Sequence, residues 1–176
     1  MRSDVFRRSD FTTGDVAEAL GLPRQTVTDT IRRAHLDTSG AGSHARLTFA
    51  QAVAVGVARR MIDNGLHVTP AGHAARAATP ALEEFASLLA AAADRGADGL
   101  SALAAEQQQH PWLVVGVSFR EFGGHSETIV RPQLISAARL HEALPQLAPL
   151  MTVSVPLLPI MDRLARGLAA LPAAES

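Results

Sequence analysis

The stretch "TTGDVAEALGLPRQTVTDTIRR", Thr12 to Arg33, decides how the rest of the chain is read. Val16, Ala17 and Leu20 recur at helical spacing, and Thr12 with Asp15 three residues on has the pattern of a capping box. Gly21 follows the last apolar residue, the place where a left-handed residue ends a helix. Pro23 suits the first turn of a second helix, because its missing N–H has no intrahelical acceptor there. In that second helix Val27 and Ile31 lie four apart and point toward Leu20 and Val16. Arg24, Gln25, Thr28, Asp29 and Arg32 are left on the other faces. The expectation is two short helices around a tight corner, with one buried stripe and one polar surface.

Downstream stands "AHLDTSGAGSHARLTF", whose Ser39–Ser43 centre is rich in Gly and Ser and reads as a hairpin tip, with Leu36 and Leu47 as short strand candidates. Thr48 and Gln51 form a second capping box ahead of a long helix carrying Val53, Val57 and Met61 and stopping at Asn64-Gly65. Thr69-Pro70 is expected to open another helix through Ala78, and Thr79-Pro80 a further one through about residue 95.

Composition narrows the chemistry. All sixteen basic side chains are Arg, and Lys, Cys and Tyr are absent, a bias that codon usage in a GC-rich bacterial genome accounts for. Without Cys there are no disulfides, thiolate zinc sites or cysteine nucleophiles, which is compatible with a reducing cytoplasm. The opening "MRSDVFRRSD" lacks the apolar core of a signal peptide, and no apolar run is long enough to cross a bilayer. The net charge of −1 hides a basic first half and an acidic second one. Residues 1–76 hold ten Arg against seven acids, net +3; residues 77–176 hold six against ten, net −4. An anionic partner is therefore expected to face the first half.

Beyond "GADGLSALAAEQQQHP", which reads as a junction, the period turns strand-like. "WLVVGVSF", Trp112 to Phe119, is a continuous apolar run, and "EFGGHS" supplies a turn. A weak repeat follows at an offset of 24 residues: Thr128, Pro132, Leu134, Arg139, Leu140 and Leu144 recur as Thr152, Pro156, Leu158, Arg163, Leu164 and Leu168. Two copies of strand, Pro, helix beside an antiparallel first strand give a ββαβα unit with both helices on one sheet face. The whole is expected to be α+β. Residues 1–78 would form an N-terminal helical domain, 79–110 a helical linker or dimerisation region, and 111–176 a small α/β domain for dimerisation, a partner protein or a ligand.

The order helix, Gly-Leu-Pro turn, helix, Gly-rich wing and long helix ending in "MIDNGLHVTPAG" resembles the winged helix-turn-helix of MerR-type regulators over roughly Phe11 to Ala78. Excisionases and some phage packaging subunits share this layout. Thr28, Asp29 and Thr30 stand where the family has Arg-Tyr-Tyr, and the wing's Tyr-Arg-x-Tyr run is replaced by His44, Ala45, Arg46, Leu47 and then Phe49. The helix expected from Pro80 is shorter than the coiled-coil helix of the family's metal and drug sensors.

A recognition helix carries short polar and Arg side chains at its N-terminal turns. Arg24 suits guanine and Gln25 adenine; Thr26 and Thr28 join them, and Asp29 accepts from cytosine or orients Arg32 or Arg33. Arg32, Arg33 and Arg46 suit phosphates, with Thr13, Ser43 and His44 alongside. The bland alternative is a helix pair used for protein contacts with its arginines solvated.

Other motifs yield less. "SGAGSHAR" lacks the Gly-Lys-Ser/Thr ending of a phosphate loop, and no apolar strand leads into it. His67 and His73 sit on different helix faces, and His125 with Glu127 lacks a third ligand, so no metal or other cofactor is expected. Ser126 beside His125 has no nucleophile elbow around it, and Glu83-Glu84 diverge on a helix, so no catalysis is expected. Leu82, Phe85, Leu88 and Leu89 have helical spacing, as core or as a dimer seam. The expectation is thus a cytoplasmic, dimeric transcriptional regulator that binds double-stranded DNA, with an architectural protein of the excisionase or packaging type as the alternative.

Overall fold

The structure, a computed structural model, describes residues 3–40, 45–96, 111–122, 125–136, 139, 142, 145 and 151–171. It is mixed α+β and mostly helical. After a 3₁₀ turn at Ser3–Phe6 come β1 (Phe11–Thr12), α1 (Thr13–Leu20), α2 (Arg24–Arg33), β2 (Arg46–Leu47), α3 (Phe49–Asp63) and α4 (Val68–Asp94). Then follow β3 (Pro111–Phe122), β4 (His125–Ser136), β5 (Met151–Pro156) and a last helix, α5 (Leu157–Ala169).

The punctuation anticipated from the sequence is present. Thr12 Oγ1 accepts from the Asp15 N–H at 3.1 Å while the Asp15 carboxylate accepts from the Thr12 N–H at 2.8 Å. Thr48 and Gln51 reciprocate in the same way at 3.1 and 2.9 Å. Gly21 is left-handed at φ 63, and its N–H donates to the Glu18 carbonyl while that of Leu22 donates to the Ala17 carbonyl. This paired closure satisfies carbonyls that would otherwise end α1 unpaired. Gly65 ends α3 in the same fashion.

Two expectations are corrected. Thr79-Pro80 does not start a new helix: α4 runs unbroken for 27 residues with Pro80 inside it. Pro80 deprives the Arg76 carbonyl of an amide donor and would alone cost about 3 kcal/mol. Ala75, Ala78, Leu82, Ala86 and Ala90 nevertheless form one buried stripe, in register on both sides of the proline, and their burial holds the helix together. Nor does Pro132 start a helix, because β4 continues through it to Ser136. β4 is an edge strand, where a missing N–H is tolerated. Leu134 therefore lies in a strand whereas its repeat counterpart Leu158 lies in a helix, and the two copies are not structurally equivalent.

The larger sheet has the order β4-β3-β5 with every pairing antiparallel, so β4 and β5 run the same way on either side of β3. Phe122 pairs with His125 across the hairpin expected at "EFGGHS". The junction at 97–110 and the helix expected to join β4 to β5 lie outside the described residues, apart from an exposed Arg139–Glu142 ion pair. Leu36 is buried but not in a strand; Ser39 makes the bridge to Arg46 instead.

One apolar cluster spans both halves of the chain, joining Val16 and Leu20 of α1 and Val53 and Val57 of α3 to Leu164 and Leu168 of α5. Small residues let α5 approach closely. A Cβ at Gly167 would stand 2.6 Å from that of Ala19, and one at Gly56 2.7 Å from Ile160 Cγ2. At the N-terminus Phe6 meets Phe49 edge-to-face with ring centroids 5.0 Å apart.

Candidate nucleic-acid interface

α2 is positioned by its apolar seam. Val27 is fully buried, Ile31 is half-buried, and Thr30 is buried with its hydroxyl donating to the Thr26 carbonyl at 2.8 Å. At 3.6 residues per turn this seam leaves Gln25, Thr28, Asp29 and Arg32 at the middle of the outward face, flanked by Arg24 and Arg33. Arg24, Gln25, Thr28, Arg32 and Arg33 are exposed; Thr26 and Asp29 are half-buried. No side chain caps the helix, whose N-cap is Pro23, so the Arg24 and Gln25 amides at its positive end face outward.

Local hydrogen bonds set the character of that face. Asp29 Oδ1 accepts from Arg32 at 3.0 Å, which holds the guanidinium along the helix and removes part of its net charge. Thr28 Oγ1 donates to the Arg24 carbonyl at 3.0 Å, leaving its oxygen as an acceptor and its methyl as an apolar contact. Arg33 turns toward α3 and α4. With Thr26, Asp29, Thr30, Arg59, Ile62 and Val68 it lines a shallow recess of about 200 Å³.

After α2 the chain leads through Leu36 into a small ribbon. Phe11 pairs with Leu47 and Thr12 with Arg46, and Ser39 bridges Arg46 from the other side with backbone hydrogen bonds of 2.9 and 2.7 Å. β2 is thus flanked on both edges, and Arg46 sits half-buried at its root. Ser43 and His44, expected at the tip, lie outside the described residues. Thr13 is corrected: as the first residue of α1 it is only 5% exposed and takes no part in the outward surface.

Ion pairs elsewhere withdraw arginines from binding. Arg8 pairs with Asp10 at 2.9 Å and lies 4.7 Å over the Phe11 ring, which fixes it at the foot of the ribbon. Its guanidinium is pushed up from the usual range by the hydrogen bond to Asp10. Arg7 pairs with Asp94 at the far end of α4, and that hydrogen bond holds the Asp94 carboxyl below the usual carboxylate range, with Ser3 contributing. The anticipated Leu82–Leu89 stripe divides. Leu82 belongs to the core, Phe85 and Leu89 are half-buried, and Leu88 is 43% exposed.

Sequence reasoning passed over Arg59, Arg60 and Arg163. The first two, on α3, and the third, on α5, converge on one groove. The only signal in the sequence was the recurrence of Arg139 as Arg163 in the weak repeat.

No protein-family model matches the chain, and no curated protein resembles it closely enough to count as a relative. No described helix is long and apolar enough to cross a membrane.

Proposed function

We propose that the chain is a sequence-specific DNA-binding transcriptional regulator acting as a dimer, built on a MerR-like winged helix-turn-helix with a ββαβα unit behind it. The observation that carries this reading is the exposed polar face of α2, in a chain where a ribbon follows that helix. A helix with an uncapped N-terminus and an outward face of Gln, Thr, Asp and Arg is followed in the chain by a ribbon in which Ser39 bridges Arg46. In the complex α2 enters the major groove. Arg24 and Gln25 read purine edges, and the Thr28 oxygen accepts from a base amino group. Arg32, Arg33 and Arg46 meet phosphates. The Asp29–Arg32 pair costs charge but fixes where that guanidinium points.

Dimerisation follows from the small charge of each head, since two copies double the phosphate contacts on a symmetric site. The half-buried Phe85 and Leu89 with exposed Leu88 supply an apolar edge for it.

The test is binding of labelled genomic fragments across a salt series, compared with the Arg24→Ala/Arg32→Ala double variant. Each lost phosphate contact lowers the salt slope by about 0.9, and a lost guanine contact costs about 1–3 kcal/mol of sequence discrimination. Binding indifferent to salt, or unaltered in the double variant, overturns the proposal. Footprints on a promoter-proximal palindrome support regulation; a phased array identifies an architectural protein instead.

A further inference from the structure

Between α1, α3 and α5 lies a groove of about 300 Å³ that shares no residue with the outward face of α2 or the ribbon. Part of its lining is cationic. Arg59 and Arg60 arrive from consecutive positions of α3 and Arg163 from α5. Asp63 is the single acid at the groove, and Arg59 is hydrogen-bonded to it. Neither Arg60 nor Arg163 has a carboxylate partner among the described residues, so the groove keeps a surplus of positive charge. Arg59 Nε is buried with no hydrogen-bond acceptor among the described residues, although buried donors are rarely left so.

Much of the remaining lining is apolar and includes Leu20 and Leu22, next to the corner between α1 and α2, and Ile160 of α5. Two glycines shape the space. Gly21 carries no side chain where the Arg163 guanidinium lies, so the cation rests against the corner between α1 and α2. Gly56 lets Ile160 close the other end.

We propose that this groove binds a small organic carboxylate with an apolar body. Arg60 and Arg163 take the carboxylate through charge-assisted hydrogen bonds, the geometry for which guanidinium is suited. Leu20, Leu22 and Ile160 cover the apolar portion. A free phosphate satisfies the charge but leaves those apolar side chains without a partner, and a neutral amide satisfies them but not the arginines. The volume is at the small end of the range for ligand sites, which fits a molecule of benzoate size. The assignment stands whether or not the chain binds DNA.

The test is titration of the full-length protein with sodium benzoate, isocaproate, benzamide and inorganic phosphate, followed by amide proton–nitrogen correlation spectra. Benzoate or isocaproate is expected to shift the Gly21 and Gly56 amides saturably, with benzamide and phosphate each at least about tenfold weaker. Arg163→Gln and Arg60→Gln are each expected to weaken binding by at least about tenfold. Arg166→Gln, on the same helix but paired with Asp162, leaves binding unchanged. The proposal is overturned by the absence of a saturable shift with either acid up to about 10 mM. It is also overturned by benzamide or phosphate binding as well as the acids do, or by full affinity in a folded Arg163→Gln or Arg60→Gln variant.

Discussion

Gly21→Ala tests the corner on which the helix pair turns. At φ 63 and ψ 40 the backbone is in the left-handed region, which costs a residue bearing a Cβ about 1–2 kcal/mol. Alanine recovers about 0.4–1 kcal/mol of that by restricting the unfolded chain. The net loss is about 1 kcal/mol, or roughly 2–4 °C of melting temperature for a chain of this size. The new methyl must also displace the Arg163 guanidinium, and two further variants separate that contribution. Gly65 is left-handed too, at φ 90, but a Cβ there would have nothing within 4 Å, so Gly65→Ala reports backbone strain alone. In an Arg163→Ala background Gly21→Ala falls to the same cost as Gly65→Ala. Thermal unfolding followed by circular dichroism gives all four values. A Gly21→Ala melting temperature equal to or above the parent's refutes the left-handed corner. An unchanged cost in the Arg163→Ala background refutes the seating of Arg163 against it.

Pro80→Ala, at an exposed position inside α4, restores a donor to the Arg76 carbonyl and should raise stability by up to about 3 kcal/mol in denaturant unfolding; a loss of stability would contradict a continuous helix. Leu164→Ala opens a cavity in the shared core and should cost about 2–5 kcal/mol, with probes in α2 and α5 reporting one coincident transition; separate transitions would show that the halves fold independently. Arg7→Ala should raise the Asp94 carboxyl midpoint toward the ordinary carboxylate range in a carbonyl-carbon NMR titration, and an unmoved midpoint would place its cause elsewhere. Because Asp94 is depressed in the folded chain, its contribution to stability is present above the unfolded pKa and is lost as pH falls through the folded one; Arg7→Ala flattens that acid limb.

Local chemistry was the legible part of this fold. The two capping boxes, the left-handed glycines and the Val27 seam each depend on residues within a few positions, and each is where the pattern placed it. The proline at 80 was misread because a local rule was allowed to outrank a longer one. The apolar stripe of α4 keeps its register from Ala75 to Ala90, and burial along that length outweighs one lost hydrogen bond. Pro132 misled for a related reason, since the tolerance of a strand for proline depends on whether the strand is an edge, which is a property of the sheet and not of the residue. Thr13 was grouped with the residues suited to phosphates, and nothing nearby in the sequence marked the first residue of α1 as buried.

The packing of α5 on α1 had no local signal, and it changes what the first half of the chain is. Leu20 closes α1 by meeting the α5 side of the core, while Arg163 rests on the residue that turns α1 into α2. Small residues make this possible at three points far apart in sequence: Ala19 against Gly167, Gly56 against Ile160 and Gly21 against Arg163. None belongs to a helical or strand period, because each matters only for the element that arrives from elsewhere. The helix pair is thus not a head on a linker. Its corner angle is set by two ends: the Gly21 closure from within and α5 from outside. A substitution such as Arg24→Ala is separable from stability because Arg24 is exposed and lines none of the recesses described above. A substitution at the corner is not, and any effect of it on the proposed DNA binding has to be read against a melting curve before it is assigned to lost contacts.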